Sequence, residues 1–126
     1  MKLKFTFQAF KASLPIWRDV SSWSALTDLT DLYCNSNSLT GLTSNAKALT
    51  ICDVRFNPFT TASVNAFFKN TADYFQTTAP TANNTYNLSG ASMGIPTGGN
   101  SNADIVRLIG YYTAAGRTAT VIVRTS

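Results

Sequence analysis

The chain has 126 residues, enough for one domain with a modest core. Apolar residues make up 44% and charged residues only 13%, against about 25% charged in ordinary globular proteins. Histidine and glutamate are absent, which removes Ser-His-Asp and Cys-His catalysis from consideration. The net charge is +4, but Lys and Arg are scattered, so nucleic-acid binding has no support.

Residues 2–7 alternate polar and apolar, with Leu3, Phe5 and Phe7 on one face, and read as a half-buried strand. Lys2, Lys4, Lys11 and Arg18 precede the first acid, Asp19. They suit lysines guarding an edge strand, or a patch for an acidic partner. The segment after Met1 is interrupted by Gln8 and Lys11, so it does not read as a cleaved signal peptide. No segment is long enough to span a bilayer. Asp19 or Ser21 can cap a short helix carrying Val20, Trp23 and Leu26 on one side.

An internal period follows. Leu29-x-x-Leu32-x-Cys34-x-x-Asn37-x-Leu39 recurs as Leu49-x-x-Cys52-x-Val54-x-x-Asn57-x-Phe59. Such a period marks stacked units that bury a shared core. Leu32, Cys34, Cys52 and Val54 should point inward from two short strands. Asn37 and Asn57 are structural residues of the turn after each strand, where a side-chain amide can satisfy backbone groups. The two cysteines sit on apolar positions of the period and read as buried free thiols, diagonal across adjacent strands.

Residues 60–75 read as a helix, capped by Thr60 or Thr61, with Val64, Phe67, Phe68, Thr71 and Phe75 inward. Residues 85–89 are the next strand: Tyr86, Leu88 and Met93 match Cys52, Val54 and Phe59, and Ala91 takes the asparagine's place. Residues 102–112 form a second helix, capped by Ser101 or Asn102, with Ile105, Leu108, Ile109 and Tyr112 at helical spacing and Gly116 at its exit. Residues 118–124 are a terminal strand. The expectation is an α/β fold: a short solenoid of parallel strands with helices on one side, in a single domain. An N-terminal strand and short helix cap it; residues 1–18 are the attachment segment and 19–126 the repeat body.

The segment Leu26-Thr-Asp-Leu-Thr-Asp-Leu-Tyr-Cys-Asn-Ser-Asn-Ser-Leu-Thr-Gly-Leu42 resembles bacterial leucine-rich repeats of surface proteins. Asp19 to Trp23, Asn57, Leu88-Ser-Gly90, Pro96-Thr-Gly98 and the exit from Gly116 to Val121 look like the shortened leucine-rich modules in tail and structural proteins of phages infecting Bacteroidota. The resemblance covers roughly 19–124, on a shorter chain with a broken asparagine ladder. It implies a non-enzymatic virion protein at the head or tail surface. Its partners would be other virion proteins, itself, and a host-surface protein or glycan, with no membrane insertion. The alternative is a secreted or cell-surface binding module recognising host protein or glycan.

No cofactor or metal site is expected, since two cysteines without histidine do not make a zinc site. Asp28 and Asp31 read as a solvated pair. The expected binding residues are the outward strand rows. One runs Tyr33, Asp53, Asn87 and Ile122; the other runs Asn35, Arg55, Ser89 and Arg124. Val121, Ile122 and Val123 put apolar side chains on both faces of the expected sheet edge. Such an edge calls for cover by the chain's own N-terminal strand or by a neighbour, and these three are the expected assembly residues.

Overall fold

The computed structural model describes residues 29–36, 38–42 and 46–126, with the backbone of Lys2–Lys4. Five short strands form one parallel sheet: β1 (Lys2–Lys4), β2 (Asp31–Tyr33), β3 (Ile51–Asp53), β4 (Asn84–Leu88) and β5 (Ala119–Val123). They lie side by side in chain order, so each connection advances the chain by one strand. Parallel neighbours need a crossover. Helix α1 (Thr61–Thr77) supplies it between β3 and β4, and α2 (Ala103–Ala114) between β4 and β5. The two helices pack on each other and into one core, so both cover the same face of the sheet. The fold is therefore α/β. Between β2 and β3 the described residues contain no helix. The short helix expected near residues 19–27, the strand beyond Lys4 and the side chains of the basic N-terminal segment lie outside the described residues, as do Asn37 and Asp28.

Local chemistry sets the helix limits. Thr60 caps α1: its Oγ1 accepts from the Ser63 amide at 3.1 Å. Val64, Phe67, Phe68, Thr71, Ala72 and Phe75 recur at three- and four-residue spacing and are buried. The buried Thr71 hydroxyl donates to the Phe67 carbonyl at 2.7 Å, so it enters the core satisfied. Asn102 caps α2, its Oδ1 accepting from the Asp104 and Ile105 amides. At the other end Gly116 takes a left-handed φ of 72°. Its amide donates to Thr113 O, and that of Arg117 to Tyr112 O, closing a Schellman turn. Ile105, Leu108 and Tyr112 are buried along α2, whereas Ile109, expected with them, is 37% exposed at the margin of the stripe.

The core lies between the sheet and the helices. Leu32, Cys52 and Tyr86 align in register across β2, β3 and β4, and Leu88 aligns with Val123. An aromatic cluster fills the space under the helices. Phe67 meets Tyr86 edge-on at 6.1 Å between centroids, and Tyr112 meets Phe75 at 5.1 Å and Tyr86 at 6.1 Å. The Tyr86 and Tyr112 hydroxyls bond each other at 2.8 Å.

After each of β2, β3 and β4 the chain turns through one left-handed residue: Ser36 at φ 58°, Phe56 at 59° and Gly90 at 109°. Gly90 sits under the Phe56 ring, where an added Cβ would lie 2.5 Å from a ring carbon. The turn after β3 is held by Asn57, which is buried. Its Nδ2 donates to Cys34 O at 2.9 Å and Val54 O at 2.8 Å, and its Oδ1 accepts from the Leu39 amide at 3.1 Å. One side chain thus ties the turns after β2 and β3 together. At the next level Ala91 has no such side chain. There Arg124 reaches across from beyond β5 and donates through Nη1 to Ala91 O at 2.8 Å and Met93 O at 3.0 Å.

Candidate functional site

The register places Tyr33, Asp53, Asn87 and Ile122 side by side on the face of the sheet away from the helices. Residues two apart on a strand share a face, so each row can bond along its own strand. Asp53 is buried, because Arg55 folds over it. The guanidinium donates Nε to Oδ1 at 2.9 Å and Nη2 to Oδ2 at 2.8 Å, a bidentate pair. The Arg55 amide donates to the same carboxylate at 3.2 Å. This pairing raises the Arg55 pKa above its ordinary value. Likewise the Ser89 hydroxyl donates to Asn87 Oδ1 at 2.6 Å. Tyr33 and Asn35 are half-buried and also engaged. The outward face therefore carries polar groups that are largely paired within the chain, with charge cancelled at its middle.

Arg124, expected in the outward row, is instead bound to the turn after β4, because that turn lacks an asparagine. Phe56 joins the face from outside the expected set: it is 48% exposed, with the Arg55 guanidinium 6.0 Å from its ring. Its left-handed backbone is unusual for a bulky residue. The signal in the sequence was Gly90, which stands at the matching place one coil later.

The terminal strand presents a different surface. β5 pairs with β4 on one side, and among the described residues nothing pairs with its other side. β1 lies at the opposite edge beside β2, so the chain's own N-terminal strand does not cover β5. The three expected edge residues differ in environment. Val123 is buried, Val121 is partly buried against the core, and Ile122 is 42% exposed on the outward face. Helix α2 adds to this end of the molecule. Its Arg107 points to α1, donating to Asp73 Oδ1 at 2.7 Å. On a helix of 3.6 residues per turn, Val106, Ile109 and Thr113 fall on the flank away from that contact. Val106 is 57% exposed.

Cys34 and Cys52 are both buried. Burial pushes both thiols up, with Asp53 adding to the effect. Among the described residues no three His, Cys, Asp or Glu side chains come together as a metal site would require, and no helix is long and apolar enough to cross a membrane. A recess of about 380 Å3 opens where β3, β4 and β5 begin, lined by Thr50, Asn83, Asn84, Thr85, Thr118 and Thr120. Sequence reasoning missed it, because an Asn/Thr-rich chain gives no sign of which amides gather. No family model, no curated protein and no solved structure matches the chain.

Proposed function

We propose that the chain is a non-enzymatic structural component of a bacteriophage virion, on the head or tail surface. In this reading it is a short leucine-rich-repeat-like solenoid that works by assembly with itself and other virion proteins. The phage setting rests on the order of sequence motifs between Asp19 and Val121. The assembly rests on one structural observation, the open end of the stack. There, among the described residues, the outer edge of β5 has no partner strand and adjoins a helix flank that exposes Val106 and Ile109. Stacked repeats ordinarily finish in a polar cap. An open edge and an apolar flank together invite another protein layer.

The two ends of the sheet are different surfaces, β1 at one and β5 at the other. Contact between unlike ends is heterologous and closes into a ring when the rotation allows. Light scattering of the purified chain tests this. A defined trimer, pentamer or hexamer that falls to monomer in Ile109→Asp supports the reading. A wild-type chain that stays monomeric as concentration rises overturns self-assembly. It would favour instead a binding module that meets host protein or glycan through the outward rows around Tyr33 and Arg55.

A further inference from the structure

Among the described residues the sheet ends in two edges, and they differ in charge. β1 begins and ends with Lys2 and Lys4, and lysine on an edge strand discourages pairing with another chain. β5 reads Ala-Thr-Val-Ile-Val and has no charged residue. The Asn84 amide donates to Thr118 O at 3.0 Å, where the pairing of β4 with β5 begins. Backbone groups turn alternately to one neighbouring strand and the other. Thr120 and Ile122 therefore face β4, and Ala119, Val121 and Val123 turn their amides and carbonyls to the open side. The side chains of these three lie toward the core. Ala119 and Val123 are buried there, whereas Val121 packs against the core and stays partly open. Beside it the α2 flank exposes Val106, Ile109 and Thr113, again without a charge.

We propose that β5 pairs antiparallel with β5 of a second copy of this chain, across a two-fold axis at Val121. The inference rests on the assembly reading and commits it to a contact between like ends. Residues directly opposed in an antiparallel pair share a face of the sheet. A register centred on Val121 sets it opposite itself and sets Ala119 opposite Val123 of the second copy. Each open amide and carbonyl of the three residues then meets a partner. The two core faces become continuous. The two α2 flanks meet above the Val121 pair, which takes Ile109 and the open part of Val121 out of water.

Charge separates this contact from its rival. The chain has a net charge of +4, so two copies must meet where like charges do not oppose each other. In the two-fold register Arg117 stands opposite Thr125 of the second copy, and Arg124 opposite Thr118. Arg124 is also drawn off the edge by the Ala91 and Met93 carbonyls. Stacking β1 of a second copy on β5 would instead bring Lys2 and Lys4 to the end that carries Arg117 and Arg124. The neutral edge therefore suits its own copy and the lysine-bearing edge does not suit it. Such a contact is isologous and closes at two copies.

The test combines oxidative crosslinking of full-length Val121→Cys with light scattering of the unaltered chain. A hydrogen-bonded antiparallel pair holds its Cα atoms about 5.5 Å apart, within reach of a disulfide. Remaining thiols are alkylated before denaturation, which keeps the buried Cys34 and Cys52 out of the count. A covalent dimer is expected, with an even number of copies in solution. Thr120→Cys, which faces Ile122 of the second copy and not itself, should crosslink about tenfold more slowly or less. A trimer or pentamer would overturn the two-fold contact and leave the assembly reading standing. So would a dimer or hexamer in which the two cysteine variants crosslink alike or not at all. A chain that stays monomeric as concentration rises would overturn both.

Discussion

The two halves of the sheet solve one problem in different ways. From β2 to β3 the aligned residues Leu32 and Cys52 are 20 apart, whereas from β3 to β4 Cys52 and Tyr86 are 34 apart. The longer step contains a helix, which satisfies its own backbone and brings its own apolar face to the core. The shorter step contains no helix among its described residues, so its carbonyls and amides must find partners elsewhere. Asn57 supplies them from inside the core, bonding Cys34, Val54 and Leu39 at once. In the turn after β4 the carbonyls of Ala91 and Met93, which stand at the positions of Asn57 and Phe59, are met from the periphery by Arg124. A short coil therefore depends on one buried side chain, while a long one spreads the same work over a helix and a surface residue.

Removing Asn57 should give the largest effect. Asn57→Ala leaves two carbonyls and one amide without their partner in a site that excludes water. The expected loss is about 3 kcal/mol or more, read from the urea unfolding midpoint. Hydrogen exchange should show the amides of Cys34, Ser36 and Leu39 losing protection before those of α1 and α2. A loss below about 1 kcal/mol would mean that the short coil does not depend on this residue.

How much of this was written in the sequence follows the same division. The parallel order was legible because apolar positions and the asparagine recur together at fixed spacing. The helices were legible from their stripes and from Thr60 and Asn102 as caps. Ile109 was misplaced because helical spacing alone does not say how wide the buried stripe is; among the described residues α2 has a neighbouring helix on one flank. Arg124 was misplaced because strand alternation gives a face and says nothing of what a long side chain then reaches. The bond between Asp53 and Arg55 could have been read, since opposite charges two apart on a strand share a face. The recess around Asn84 could not: Asn83 and Asn84 are the same residue type, and only the three-dimensional arrangement buries one and exposes the other.

Gly94 ties the two helical steps to each other, and changing it should give an intermediate effect. Its amide donates to Phe59 O at 2.7 Å, which brings the loop after β4 against the start of α1. A Cβ at this position would lie 2.4 Å from the Thr60 carbonyl carbon and from the Thr61 nitrogen. Those are backbone atoms at the helix cap and have no rotamer by which to yield. Gly94→Ala should cost about 1–3 kcal/mol, the usual range for overpacking. It should also shift the amide resonances of Thr61 and Ser63 more than those of β2. Unchanged stability would show that the helix start can move without loss, and that the helical steps are joined more loosely than the contact implies.

The smallest effect should come from Arg124→Met, and it is the direct counterpart of Asn57→Ala. The arginine meets two carbonyls through one nitrogen, and a third, Ser126 O, through Nε at 3.0 Å. Ala91 and Arg124 both remain accessible to solvent. Water can therefore take the place of the lost donor, which it cannot do at Asn57. Methionine keeps the stem that packs along the turn, so the substitution isolates the hydrogen bonds from the packing. A loss of about 1 kcal/mol is expected. It should change little with salt, because the acceptors are neutral carbonyls and not carboxylates. A cost equal to that of Asn57→Ala would mean that the helical coil needs its cap as much as the short coil does. The contrast between the two halves would then lie in where the capping group comes from, and not in how much rests on it.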